Sequence, residues 1–146
     1  MAILSNYAEN HIIDAILRGV AIGAPTALYI ALFTATPSAS GGGTEVAGGS
    51  YARINLAPTA ANWASTGGAT TVTNPSVGTT GTTSNNAAIT FAAPTASWGV
   101  ITSFAIFDAV SGGNMWFFGN LTVSKTVNNG DAAPSFAISA LSLTMT

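Results

Sequence analysis

The sequence predicts an all-β fold: a β-sandwich or jelly-roll of about seven to eight strands, preceded by one N-terminal helix. Two observations predict this class. Short runs rich in β-branched and aromatic residues recur along the chain, with glycine, asparagine and proline between them. A helical pattern of apolar residues occurs once, over about residues 5–18. With 146 residues the chain is long enough for one core, so we predict a single domain spanning residues 1–146.

The predicted centre of the sheet is a β-hairpin within residues 98–121. Strand-like runs at residues 100–109 and 115–121 flank residues 111–114, where glycine and asparagine favour a tight turn. Neither face of the first run is polar, because its alternating side chains are apolar or small on both sides. The hairpin is therefore expected to be covered on both sides, inside the sheet or at a subunit interface. Its expected core anchors are Phe104, Phe107, Trp116, Phe117 and Phe118.

The predicted helix begins with Asn6 and Glu9, which fit a capping box, and Gly19 is placed to end it. Its apolar stripe consists of Ala8, Ile12, Ile13, Ala15, Ile16 and Leu17. We expect this stripe to pack on the sheet; packing on a neighbouring subunit is the alternative. Asp14 and Arg18 are four residues apart and can form an ion pair on the helix surface.

The other predicted strands lie at residues 27–33, 51–56, 87–91 and 123–127, and within 136–145. In the last of these, the apolar positions change parity, which predicts a bulge or bend near Ser139 and Ala140. The glycine-rich residues 34–50 are interpreted as a flexible surface loop or a functional one. Residues 66–86 are nearly all small or polar, so we expect an exposed excursion with an edge strand near residues 70–73.

The charge content is unusually low, at 5% of residues against about 25% in ordinary domains. Such a surface loses little charge solvation on association. We therefore expect a homo-oligomer, most simply a trimer, with an uncharged monomer as the alternative. A net charge of −2 argues against nucleic-acid binding, which needs clustered lysine or arginine. The apolar run at residues 27–33 is too short to span a membrane as a helix, and the first six residues lack the basic start of a secretory signal.

Catalysis has little support in the sequence. His11 is the single histidine, cysteine is absent, and Asp108 and Asp131 occupy ordinary turn positions rather than a recognisable glycosidase pair. We expect no enzymatic activity, no cofactor and no metal site. The aromatic residues could instead form a carbohydrate-binding platform, although buried tryptophans are more often core or interface anchors. Those considered for it are Trp63, Trp98, Trp116, Tyr51 and Tyr29.

Residues 28–37 (LYIALFTATP), 41–53 and 98–119 occur in an order that resembles a family of small tailed-bacteriophage virion proteins. Members of that family are often labelled tail-fibre-like, and related small β-sandwich proteins decorate phage capsids as trimeric cement proteins. The resemblance extends from Leu4 to the C-terminus, but residues 69–83 look longer than the family pattern. It implies a structural component of the virion, assembled in the host cytoplasm, and implies no catalytic motif.

Three functions are compatible with this interpretation. The preferred one is a capsid cement protein that binds the major capsid protein, since no long fibre-like repeats occur. A tail-fibre or baseplate component that takes part in host attachment is the alternative, with tail proteins as its partners, and a carbohydrate-binding module is the third. The helix and the loop at residues 34–50 are not needed by an idealised sandwich, so their surroundings are expected to contact other subunits. The expected contact residues are Asn6, Tyr7, His11, Arg18, Glu45, Tyr51 and Arg53.

Overall fold

In the described part of the chain, the core of the fold is an eight-stranded sheet, accompanied by a two-stranded sheet and one helix. The computed structural model describes residues 2–67 and 75–145, and the element bounds below refer to these. The elements in chain order are β1 (Ala2–Leu4), α1 (Asn6–Leu17), β2 (Tyr29–Ala35), β3 (Thr44–Glu45), β4 (Ile54–Asn55), β5 (Thr82–Ser84), β6 (Ile89–Thr90), β7 (Gly99–Phe107), β8 (Met115–Val127), β9 (Ser135–Phe136) and β10 (Ser142–Thr144). This arrangement confirms the predicted all-β class with a helix near the N-terminus, although the short strand β1 precedes the helix.

The large sheet has the strand order β3-β2-β7-β8-β1-β10-β5, and β4 also pairs with β2. All its pairings are antiparallel except that of β1 with β10. The predicted hairpin therefore lies in the middle, because β7 pairs with β2 on one side and with β8 on the other. Strand β8 is one element of 13 residues, where the sequence predicted two shorter strands.

In the middle of the central hairpin, both faces of the sheet are buried within the chain. Leu32, Phe104 and Ile106 belong to the larger apolar cluster on one face of the sheet. Phe33 and Phe118 belong to a smaller cluster on the other face. The apolar character of the hairpin is thus accounted for by its own sheet and coverings, so it gives no support to the expectation of a subunit interface there.

The two-stranded sheet of β6 and β9 covers part of the larger cluster. Trp98 is buried there, and its indole N–H donates to the carbonyl of Gly49 at 2.9 Å. The ring meets Tyr51 edge-on, with centroids 5.4 Å apart. Trp98 lies directly before β7, and its partners come from a distant part of the chain, at Gly49 and Tyr51.

The predicted loop and the later, described part of the predicted excursion contain short strands that the sequence did not indicate. Residues 34–50 fold back on β2 through β3 and a turn closed between Ser38 and Gly41. The edge strand predicted at residues 70–73 lies outside the described residues. Farther along the excursion, β5 extends the large sheet by pairing with β10. The predicted bend near Ser139 is confirmed, since this residue has a φ of 66° in a turn between β9 and β10.

Candidate functional site

The N-terminal helix is attached to the sheet by its first turns. Ser5 is the N-cap, and its hydroxyl accepts from the Ala8 N–H at 3.2 Å while donating to the Met115 carbonyl. The predicted cap at Asn6 is therefore wrong by one residue, because the buried Ser5 side chain reaches both the helix and β8. Asn6 is the first helical residue, and its backbone N–H donates to the Ala39 carbonyl at 2.9 Å.

An aromatic cluster completes the attachment. The Tyr7 ring meets Trp116 edge-on with centroids 5.3 Å apart, and His11 lies 5.7 Å from the same indole. The His11 ring also lies against Tyr7, with a centroid separation of 4.1 Å. Trp116 is 7% exposed, so these contacts hold the first half of the helix against the start of β8.

The second half of the helix has an apolar outer surface that the described chain leaves uncovered. Ile16 and Leu17 are 74% and 77% exposed and Ile13 is 50% exposed, and Val20, which follows the helix, is 52% exposed. Only Ala8 is buried among the helix residues. The expectation that the whole stripe packs on the sheet is wrong, because Ile13, Ile16 and Leu17 are exposed and only Ala8 of the stripe is buried. Gly19, with a φ of 69°, ends the helix as predicted, and the Asp14–Arg18 pair forms at 3.1 Å.

A second group of polar residues lies beside β2. Arg53 forms a bidentate pair with Glu45, with Nε–Oε1 and Nη2–Oε2 distances of 2.8 and 2.7 Å. The Tyr51 hydroxyl donates to Glu45 Oε1 and accepts from the Leu32 N–H. Burial of the Tyr51 hydroxyl is the main cause that raises its pKa above the ordinary value. This hydroxyl is therefore a fixed structural group and stays protonated.

The tip of the central hairpin is closed by Asp108. Its carboxylate accepts hydrogen bonds from the Asn114 backbone N–H at 2.7 Å and from the Asn114 side-chain amide at 2.9 Å. The Trp116 indole N–H lies 3.4 Å from the same carboxylate. Desolvation by burial tends to raise the pKa of Asp108, but these hydrogen bonds outweigh it and lower the pKa below its ordinary value.

A groove of about 610 Å³ runs beside the second half of β8. The register of β7 and β8 jumps from Ser103↔Asn120 to Ile101↔Lys125, so residues 121–124 of β8 bulge away from the sheet. The bulge forms one wall and the segment at residues 132–142 forms the other. The groove is lined by apolar side chains from the larger cluster, including Phe104 and Ile101, and by one charged residue, Lys125.

The chain matches the family model described as "Podophage GP4 fiber I protein gp80" over residues 3–144. The chain belongs to this family. No curated protein matches it. As a member of the GP4 fibre I family, it is a small structural protein of a tailed-bacteriophage virion and is tail-fibre-like. The resemblance inferred from the sequence is confirmed at this level, and the cement role is not.

In this GP4 fibre I family member, the predicted contact residues form two separate groups. Asn6, Tyr7 and His11 lie in the attached part of the helix, and Arg18 is at its exposed end. The other group, Glu45, Tyr51 and Arg53, is one internal network. The structure thus gives Arg53 a role inside its own chain, because its side chain is 7% exposed and its donors face internal acceptors. Contacts of either group with another subunit stay a prediction.

The structure also places the predicted core anchors. Phe104, Trp116 and Phe118 are buried. Phe107 and Phe117 are half-buried and pack against the two clusters from opposite faces of the sheet.

Sequence reasoning missed the groove beside β8 and the exposure of the second half of the helix. The groove depends on a register jump, which leaves no local pattern in the sequence. The helical stripe was visible, but its spacing did not indicate which part would be covered. Lys125 could have drawn attention, because it is the single lysine of the chain and lies in a run that is otherwise uncharged.

The described residues of this family member give little support to carbohydrate or metal binding. All three tryptophans lie in the described part of the chain, where Trp98 and Trp116 are buried and Trp63 is half-buried. A carbohydrate-binding groove would expose at least two tryptophans side by side, and no two of these three are exposed. Among the described residues, no three potential metal ligands come together. Within residues 2–67 and 75–145, no helix has the length and apolar character needed to cross a membrane.

Proposed function

We propose that the protein is a subunit of the fibre apparatus of a short-tailed bacteriophage and takes part in host attachment. The observation that carries this proposal is the family match over residues 3–144 to a protein described as a fibre protein. In this role the protein acts by assembly and binding, and not by catalysis.

The geometry is suited to a part that is built into a larger structure. The central hairpin and its two apolar clusters make a body that needs no second chain for its core. The second half of the helix extends an apolar surface from this body. Since exposed apolar patches of this kind mark interaction sites, the helix is the part that we assign to assembly with other virion subunits.

The capsid cement role preferred from the sequence now ranks second. That preference rested on the absence of the long repeats that many fibre proteins have. The family description, which names a fibre protein, favours the fibre role instead. An apolar helix on a compact body would serve either location, so the fold does not separate them. The homotrimer likewise stays a prediction, and the major capsid protein and the tail proteins remain alternative partners.

Locating the protein on virus particles tests the proposal. Gold-labelled antibodies against the folded protein, or cryo-electron microscopy of whole particles, should place it at the tail. Particles that lack the protein should adsorb poorly to host cells while their heads keep DNA on mild heating. Label over the capsid shell, together with normal adsorption and early loss of DNA, would instead establish the cement role.

A further inference from the structure

The outer face of the helix combines a charge with apolar side chains. Glu9, Ile13, Ile16 and Leu17 are spaced by four, seven and eight residues from the first, so they lie on one face of the helix. All four are exposed. This is the pattern of a helix that inserts an apolar edge into a groove of another protein surface.

The charges of the chain single out two residues. Arg18 pairs with Asp14, and Arg53 pairs with Glu45. Asp108 and Asp131 accept hydrogen bonds in turns, the second from the Asn128 N–H at 2.7 Å. All eight acidic and basic residues lie in the described part of the chain, and there only the Glu9 and Lys125 side chains have no such partner.

These two unpaired charges belong to complementary surfaces. Glu9 begins the exposed face of the helix, and Lys125 is the one charged residue that lines the groove beside β8. The groove has a volume of about 610 Å³. A convex apolar edge carrying one acid thus matches a concave apolar groove carrying one base.

The helix is not placed to fill the groove of its own chain. It begins beside Ala39, which packs against the smaller cluster on one face of the sheet. The groove is floored by Leu32 and Phe104, which belong to the larger cluster on the other face. The match is therefore between different copies of the chain.

We propose that the helix of one copy docks in the β8 groove of a second copy, with Glu9 paired to Lys125 and with Ile13, Ile16 and Leu17 buried. This docking rests on the proposed function as an assembled fibre part, and it names the contact by which the copies join. Such a contact uses two different surfaces of the chain, so repetition gives a closed ring or an open filament. The trimer predicted from the sequence corresponds to a closed ring of three.

Chemical cross-linking provides a direct test, because the natural chain has no cysteine. Glu9→Cys and Lys125→Cys are prepared as separate proteins; both positions are exposed, so each variant should keep its fold. A short bis-maleimide should link the two proteins when they are mixed, and should link neither protein to itself. Failure of the mixed pair to cross-link would overturn the docking mode, as would efficient linking within either single variant.

Charge exchange and light scattering give a second measurement on the full chain. Glu9→Lys and Lys125→Glu should each weaken self-association, by about threefold to tenfold, and the two changes together should restore it. Ile16→Asp should weaken it at least about tenfold, because a side chain buried in the contact becomes charged. Val110→Asp, at a valine 62% exposed on the hairpin tip and outside both surfaces, should have no effect.

A wild-type protein that stays monomeric at high concentration would overturn the docking proposal, and so would an oligomer insensitive to these changes. Both results are independent of where the protein lies in the virion. Antibody label over the head would contradict the fibre role but would not change the expected cross-link. The proposed function and the docking proposal can therefore be contradicted independently of each other.

Discussion

Arg53 and Glu45 form a bidentate ion pair that links three parts of the chain. The Arg53 Nη1 atom also donates to the carbonyls of Ala109 and Gly112, at 2.9 and 2.8 Å, in the turn between β7 and β8. The guanidinium carbon lies 3.8 Å from the centroid of the Phe107 ring. One side chain therefore joins the loop after β2 to the tip of the central hairpin.

The first prediction is that Arg53→Ala destabilises the protein by about 3–5 kcal/mol, since it leaves Glu45 and two carbonyls without their donor. Arg53→Lys should recover only part of this loss, because an ammonium group cannot reproduce the planar fork. Urea unfolding followed by tryptophan fluorescence measures both. Arg18→Ala is the matched control: its pair with Asp14 is exposed, and its removal should cost less than about 0.5 kcal/mol. Equal effects at the two arginines would contradict the structural role of Arg53.

Local patterns predicted the centre of this fold well. The alternation of residues in the central hairpin, without a polar face, indicated a strand covered on both sides, and β7 is such a strand from Ser103 to Ile106. The helix was visible because its apolar spacing is supported over three turns and ended by Gly19. These features depend on neighbours in sequence, which is why the sequence alone carries them.

Contacts between distant residues were not predictable in the same way. Trp98 stands between Ser97 and Gly99 and looks like a loop residue, yet its partners lie around Gly49. The groove beside β8 arises from the way β8 pairs with β7, and pairing register is a property of two strands together. For the candidate site, the sequence indicated that the helix exists, but it indicated neither the exposure of its second half nor the groove beside β8.

Asn85 provides the second prediction, as a buried polar residue in a stretch expected to be exposed. Its amide donates to the carbonyls of Ala87 and Ala137 at 2.9 and 2.7 Å and accepts from the Leu141 N–H at 2.8 Å. Asn85→Leu should destabilise by at least about 3 kcal/mol, since three buried polar groups lose their partner. The control is Asn86→Ala, whose amide makes one long hydrogen bond of 3.4 Å, and it should change the unfolding midpoint little.

The third prediction concerns the attachment of the helix. Trp116→Ala should cost about 3–5 kcal/mol, as for other buried aromatic side chains. It also removes the ring against which Tyr7 and His11 pack, so the start of the helix should exchange its amide hydrogens faster. Hydrogen exchange with mass spectrometry measures this locally. Trp63→Ala, at a half-buried tryptophan away from the helix, serves as the comparison and should leave helix exchange unchanged. Unchanged exchange in the Trp116 variant would show that the helix is held by other contacts.

The fourth prediction concerns pH and Asp108. Hydrogen bonds from Asn114 and Trp116 to its carboxylate outweigh desolvation and lower its pKa in the folded protein, so the unfolded chain binds the proton more readily. The stability that the carboxylate contributes is therefore present above the ordinary carboxyl pKa and is lost as the pH falls through the lower, folded value. Asp108→Asn should be less stable than the wild type near neutral pH, because a neutral amide accepts more weakly and offers one oxygen instead of two.

The gap in stability between wild type and Asp108→Asn should narrow steadily as the pH is lowered below about 4, the ordinary range for an aspartate. Chemical denaturation at a series of pH values measures the gap, and using the difference between two proteins cancels the titration of the other acids. Asn114→Ala removes the side-chain donor to Asp108 and keeps the backbone donor. In an Asn114→Ala protein, the further change Asp108→Asn should therefore cost less stability at neutral pH than it costs in the wild type. A gap that stays constant from neutral to acid pH would show that the charge on Asp108 does not stabilise the turn.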